Sequence, residues 1–533
     1  ILYERTPQGN VLRVQTDNLA RPLDVNEGIK LELGSTAKLR TLAHYLEIVA
    51  SLYYERHSLS DPKDPITRFV YEAYQRNPQL SLEDLLQQAL DREYSASPGE
   101  VFFTGGGVHT FSNFDADDNG RRMSVREATR RSTNLVFIRL MRDLVRYHEA
   151  RLPYDADEIL SDPENPTRKR MLQEIADAES RQVLLRAFND FQGKDKAGIV
   201  SALLGSRAKS SRHLAILFFA WNGTSHRDTL KAISDWLHDF GVPPKPNEDE
   251  KLTEAYGNPN LNLADYGYLL DIHPLRVFAA GEMIRQPEIS SEELLARSRP
   301  AIDISSSWLF RPRNRRAQDL RLKIRIEQDA FTRMTPYWRR LGFPFERLVP
   351  SYATAIGNSS DRPAALAELM GIILNDGQAR PTFRFHELRF ARGTPYQTVV
   401  VPSTSESRQV MVPAVARALR EVLAEVVDGG TARRVSGVFK DMNGKKITVG
   451  GKTGSGDNRI KSFSRGGGLL SSRAVSRTAT FTFYIGDRYF GVITASVLGP
   501  EADDYRFTSA LPVEILKKLA PAITARFDDV ADS

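Results

Sequence analysis

Residues 447–456, Ile-Thr-Val-Gly-Gly-Lys-Thr-Gly-Ser-Gly, constrain this chain more than any other stretch. The β-branched lead-in favours an extended strand. The Lys452 ammonium and the Thr453 and Ser455 hydroxyls, at alternating strand positions, can hold a carboxylate while backbone amides approach a carbonyl. Gly454 leaves room for a substrate. A Lys-Thr-Gly-[Ser/Thr] string arises by chance in about one chain in a hundred of this size. It reads as the floor of a serine acyl-transfer site, whose nucleophile must come from elsewhere in the sequence.

An acylating serine needs a base within hydrogen-bond reach, and a lysine three residues later on one helix lies a turn away on the same face. Three Ser-x-x-Lys matches occur, beginning at Ser35, Ser60 and Ser206. The Pro62 loop prevents the Ser60–Lys63 pair from sharing a helical turn. Ser206-Arg207-Ala208-Lys209 is the rival, because Gly205 precedes it and an apolar helical stretch follows. Ser35-Thr36-Ala37-Lys38 is favoured by its surroundings. A predicted hairpin over 1–16, turning at Thr6-Pro7-Gln8-Gly9-Asn10, precedes it, and Leu39, Leu42, Leu46 and Val49 then follow helical spacing. Downstream come Ser132-Thr133-Asn134, the one Ser-x-Asn in the chain, and finally the Lys-Thr-Gly string. Burial and a neighbouring positive charge, such as Lys452, would leave Lys38 neutral and able to accept the Ser35 proton.

Composition excludes several other classes. With 41% apolar and 26% charged residues the chain is ordinary globular protein, and no segment approaches the ~18 apolar residues of a membrane span. There is no cysteine, hence no disulfide and no thiolate metal site. A net charge of +6 is mild, and the basic run Arg311–Arg316 lacks interleaved aromatics, so no nucleic-acid partner is expected. The chain starts at Ile1 without a leader and is read as a processed or trimmed form, with any membrane anchor on a segment absent from it.

Along the chain, 58–120 is expected as loops and short helices, and Ser124–Val145 as one helix with Ser132 and Asn134 near its middle. Residues 149–327 are expected as a mostly helical insertion, interrupted at Pro163–Pro166 and Gly241–Pro246. Helices are expected over Ala364–Leu374 and Val412–Val427, then strands Thr478–Ile485 and Tyr489–Val497 around a Gly486-Asp487-Arg488 turn, and a last helix to about 526.

Taken in order, Ser35-x-x-Lys38, Ser132-x-Asn134 and Lys452-Thr453-Gly454 resemble the motif set of a penicillin-binding protein transpeptidase domain. The class A branch is the nearer resemblance, carried by Phe111–Phe114, Met123–Asn134, Leu341-Gly342-Phe343, Val349–Gly357 and Gly429-Gly430-Thr431-Ala432. It covers roughly 1–145 and 328–527 and implies 1–148 plus 328–533 as the transpeptidase domain. The implied fold is α/β of the α+β type, an antiparallel five-stranded sheet flanked by helices plus an all-helical lobe. Implied roles are Ser35 as nucleophile, Lys38 as base, Ser132 as proton relay, and Asn134 as holder of a substrate amide and of Lys38. Lys452, Thr453 and Ser455 would bind the terminal carboxylate of a D-Ala-D-Ala stem peptide or a β-lactam, and the Ser35 and Ser455 N–H groups would form the oxyanion hole. No cofactor or metal is implied, and the site would lie outside the cytoplasm. Two features depart from the family: 320 residues separate Ser132 from Lys452 (452 − 132), and no glycosyltransferase motif precedes the domain. A carboxypeptidase or β-lactamase on the same scaffold, or a catalytically idle module docking cell-wall or division proteins through 149–327, are the alternatives.

Other motifs have blander readings. Asp115–Gly120 copies half a calcium loop, but Arg126 stands where the bidentate glutamate belongs, so a turn is expected. Gly105–Gly107 and Gly466–Gly468 are expected as flexible loops bordering the cleft, and Trp308, Phe310, Tyr337 and Trp338 as core anchors rather than a sugar platform.

Overall fold

The structure, a computed structural model, describes residues 1–18, 22–223, 229–385, 387–401, 406–463 and 469–528. The chain divides into two compact units, 1–156 with 324–533, and 157–323.

The first unit is built on one mixed sheet. In chain order its strands are β1 (Leu2–Arg5), β2 (Asn10–Val14), β3 (Thr382–Phe383), β4 (Val449–Phe463), β5 (Leu469–Ile485) and β6 (Tyr489–Leu498). They lie in the order β4-β5-β6-β1-β2-β3. Five strands pair antiparallel, as the expected sheet requires; the two-residue β3 adds a sixth, parallel to β2. The hairpin over 1–16 is present, and its turn closes through Thr6 and Gly9.

Side-chain alternation assigns the two faces of the sheet. Phe481, Phe483 and Ile485 on β5 pack against Val513, Leu516 and Ala520 of the C-terminal helix Ala510–Asp528. Tyr484 on β5 and Phe490 and Val492 on β6 join the opposite core. That core holds α1 (Ala37–Tyr54), the helix Pro363–Leu374 and the helix Pro413–Gly429. α1 is buried nearly all round, from Leu39 and Leu42 to Tyr45 and Leu46, because it passes through the middle of this layer.

Several expectations change. The single helix over 124–145 is two, α2 (Val125–Arg131) and α3 (Asn134–Glu149), broken where Ser132 adopts a left-handed φ of 63°. Gly105 and Gly106 are the turn of a tight hairpin between Val101–Thr104 and Gly107–Thr110, with φ of 60° and 78°, a conformation that glycine adopts without strain. β5 begins nine residues before the expected Thr478 (478 − 469), paired with the far half of β4. Gly466–Gly468 lies outside the described residues.

The second unit is made of helices and loops, with no strand among its described residues. Pro166–Phe191, Ser211–Asn222, Leu263–Leu270 and Pro274–Arg285 enclose Leu184, Phe191, Leu214, Leu217, Phe219, Leu270 and Leu275. The Trp236 indole N–H donates to Leu214 O at 2.9 Å, fixing the helix Thr229–Asp239 to that core. The boundary at 323/324 falls inside the helix Arg315–Arg340. Trp338 is a core residue as expected, but Trp308 and Phe310 are 42% and 39% exposed. They sit in a short 3₁₀ turn, Ser307–Phe310, whose one buried residue is Leu309. No described helix is long and apolar enough to cross a membrane.

Candidate active site

Ser35 lies in a 3₁₀ turn, Gly34–Thr36, that runs directly into α1. Lys38 therefore falls one turn later on the same side, and its Nζ lies 3.0 Å from Ser35 Oγ. The turn is wedged against β4. A Cβ on Gly34 would come within 2.1 Å of Ser455 O, and one on Gly454 within 2.2 Å of Leu33 O, so both positions need glycine for strand and turn to touch.

The break between α2 and α3 brings the second group of residues. A continuous helix would have tied the Ser132 carbonyl into its own ladder. The left-handed turn instead directs Ser132 O to Lys38 Nζ, with Ser132 Oγ at 3.2 Å and Asn134 Oδ1 at 2.8 Å from the same nitrogen. Asp118, buried in the turn expected from Asp115–Gly120, accepts from Arg131 Nε and Thr133 Oγ1, each at 2.6 Å. One carboxylate thus clamps the residues on both sides of Ser132. Asn134 Nδ2 donates to Ser112 O at 3.0 Å and the Leu135 N–H to Asn113 Oδ1 at 3.0 Å, so the Phe111–Phe114 segment orients the start of α3.

β4 supplies the third group. Lys452 Nζ donates to Ser132 Oγ at 2.8 Å and to Thr453 O at 3.0 Å. Thr453 Oγ1 is 2.6 Å from Thr431 Oγ1, and Ser455 Oγ accepts from the Ser509 N–H at 2.9 Å. Ser35, Ser132, Asn134, Thr453, Gly454 and Ser455 line one cleft of about 410 Å³, with Phe114 exposed at its rim, while the two lysines are buried behind it. The structure thus brings together every site residue expected from sequence. Thr431, Thr508 and Ser509 also line the cleft. Thr431 is signalled by its place in Gly429-Gly430-Thr431-Ala432; nothing in the sequence distinguishes Thr508 or Ser509.

Electrostatics sets the protonation states. Burial, then the charge of Lys452, push the Lys38 ammonium well below its usual range, partly opposed by Asp118. Burial alone pushes Lys452 down to about 7. A neutral Lys38 has two N–H bonds, matched by Ser132 O and Asn134 Oδ1, and one lone pair free to accept from the Ser35 hydroxyl. Such an arrangement could take a proton from the Ser35 hydroxyl.

The rival pattern assembles nothing comparable. Ser206 and Lys209 are exposed in a 3₁₀ turn of the second unit, and no hydrogen bond joins them among the described residues. In the half calcium loop Asp115–Gly120, Asp118 engages its carboxylate with Arg131 and Thr133, and no cluster of three metal-ligating side chains occurs among the described residues.

No protein-family model matches the chain, and no curated protein matches it. Solved structures to which it has a partial similarity include the following. The D,D-transpeptidase domain of a peptidoglycan glycosyltransferase from Eggerthella lenta is 15% identical, with a TM-score of 0.35 over 93% of this chain and 67% of that one. Penicillin-binding protein A from M. tuberculosis, in its imipenem acyl-enzyme complex, is 12% identical, with a TM-score of 0.35 over 94% and 63%. Penicillin-binding protein 3 from M. tuberculosis, complexed with aztreonam, is 18% identical, with a TM-score of 0.26 over 39% and 49%. The chain therefore spans about half to two thirds of the length of these structures. The geometry of the cleft, and not overlap of this size, carries the functional reading.

Proposed function

We propose that the protein is a peptidoglycan D,D-transpeptidase that works through an acyl ester on Ser35, and that β-lactams acylate the same hydroxyl. The observation that carries this reading is the buried Lys38 amine, held by two carbonyl oxygens with its remaining valence toward Ser35 Oγ. Ser35 Oγ attacks the carbonyl of the penultimate D-Ala as its proton passes to Lys38. The Ser35 and Ser455 N–H groups stabilise the oxyanion, each such donor contributing roughly 3 kcal/mol in related chemistry. The C–N bond then breaks, and the proton travels from Lys38 through Ser132 Oγ to the departing D-Ala amine, along the 3.2 Å contact between them. An amine of a neighbouring stem peptide attacks the ester, its proton returns by the same route, and Ser35 leaves reprotonated.

Lys452 has a role that depends on substrate. With its pKa near 7 it is only partly charged in the empty cleft. A terminal carboxylate arriving at Thr453 and Ser455 raises its proton affinity, and the resulting ammonium keeps Lys38 neutral by repulsion. Because the substrate polymer lies outside the cytoplasmic membrane, the protein acts there.

The test is a turnover assay with a donor stem peptide ending in D-Ala-D-Ala, run with and without an amine acceptor peptide. Equal amounts of released D-Ala and cross-linked product support transpeptidation. Release without cross-linking would make the protein a carboxypeptidase, and no release at all would leave an idle binding module.

A further inference from the structure

Trp308 and Tyr268 are large aromatic side chains that the second unit leaves in water, at 42% and 87% exposure. Both border one groove of about 880 Å³, twice the volume of the Ser35 cleft. Its walls come from the helices Pro166–Phe191 and Leu263–Leu270, the turn from the latter into Pro274–Arg285, the stretch Ser305–Leu309 and Arg321, all inside 157–323. We propose that this groove binds a neutral saccharide chain, with the Trp308 and Tyr268 rings as stacking surfaces and Gln182 and Asp271 as hydrogen-bond partners for its hydroxyl and amide groups.

The Trp308 ring is held in place. The Arg321 guanidinium lies over it, 5.4 Å from the centroid. Arg321 is itself fixed by a forked pair with Glu179, Nε to Oε1 at 2.9 Å and Nη2 to Oε2 at 3.1 Å. The ring is therefore pre-oriented and loses little freedom when a ligand stacks on it. Amphipathic rings that are rigid and exposed in a concave site are binding surfaces rather than core.

Charge narrows the occupant. The groove's one guanidinium is already neutralised by Glu179, and His273 is held toward its neutral form by burial and by Arg276. Asp271 leaves the lining at −1 (one Arg against Glu179 and Asp271), which disfavours nucleic acids and other polyanions. Gln182 and Asp271 are both exposed and offer amide and carboxylate groups that suit the hydroxyls of a neutral polyol. The saccharide class follows from the groove itself. Its identification with the glycan backbone of the polymer that Ser35 cross-links rests on the proposed function, and would give the second unit the task of holding the strand.

The experiment titrates the full chain with the tetramer of N-acetylglucosamine, a neutral saccharide, following tryptophan fluorescence and heat of binding. Saturable binding is expected, weakened at least about tenfold by Trp308→Ala and severalfold by Tyr268→Ala, and retained by Tyr268→Phe. Both alanine variants should keep the wild-type far-UV circular dichroism and thermal unfolding profile, which shows that they fold. No saturable glycan binding, whether or not a protein partner binds this face, overturns the inference. So does binding that Trp308→Ala leaves intact. Glycan binding without any penicillin adduct would remove the proposed function and leave the groove's assignment standing.

Discussion

Two places in this molecule carry the same local design, and only one becomes a site. Ser35 and Ser206 each follow a glycine of positive φ, 55° at Gly34 and 58° at Gly205, and each lies in a 3₁₀ turn with a lysine three residues on. Around Gly205 a Cβ would meet nothing within 4 Å, whereas at Gly34 it would strike Ser455. Lys209 faces solvent, while Lys38 is fully buried against Ser132 and Asn134, 94 and 96 positions away. Local sequence thus writes the same turn twice. The proposed chemistry rests on distant segments closing over that turn and stripping water from its lysine, which favours the neutral amine.

The sharpest way to break this contrast is at the two lysines. Lys38→Ala should slow acylation by penicillin by about 10³-fold, within the range for loss of a general base, while Lys209→Ala leaves the rate unchanged. A stopped-flow assay with a chromogenic β-lactam reads both. Next in size is the support of the Ser132 break. Asp118→Asn keeps the shape but weakens the hold on Arg131, and the resulting displacement of Ser132 should cost about 10²-fold in the same assay with little change in far-UV circular dichroism.

The smallest expected effect is on stability. Lys452 titrates near 7 when folded and near 10.5 when unfolded, and Lys38 is shifted in the same direction. Between those values the unfolded chain binds more protons, so stability rises as pH rises from about 7 to 9. Above about 10 the trend reverses, because buried tyrosines such as Tyr147 and Tyr484 keep their protons longer when folded. Urea midpoints measured from pH 6 to 9 should show the rise, and Lys452→Met should flatten it.

Legibility in the sequence divides along the same line. The strand with Lys452-Thr453-Gly454-Ser455, the helix after Ser35 and the helical character of 157–323 all follow from short-range pattern. The break at Ser132 is not legible, because Ser124–Val145 has helical spacing throughout and the left-handed residue is stabilised by Asp118 from outside the helix. Trp308 reads as core because aromatic residues usually are; its exposure depends on Arg321 and Glu179 covering one face only. Thr508 and Ser509 enter the cleft through the loop after β6, which no motif marks.

The central claim is that Ser35, and not Ser206, is the nucleophile. Incubation of the protein with a fluorescent penicillin, followed by proteolysis and mass spectrometry, decides it. One penicilloyl adduct on the peptide containing Ser35, absent from Ser35→Ala and kept by Ser206→Ala, is the predicted result. An adduct on the Ser206 peptide, or labelling that survives Ser35→Ala, would contradict it.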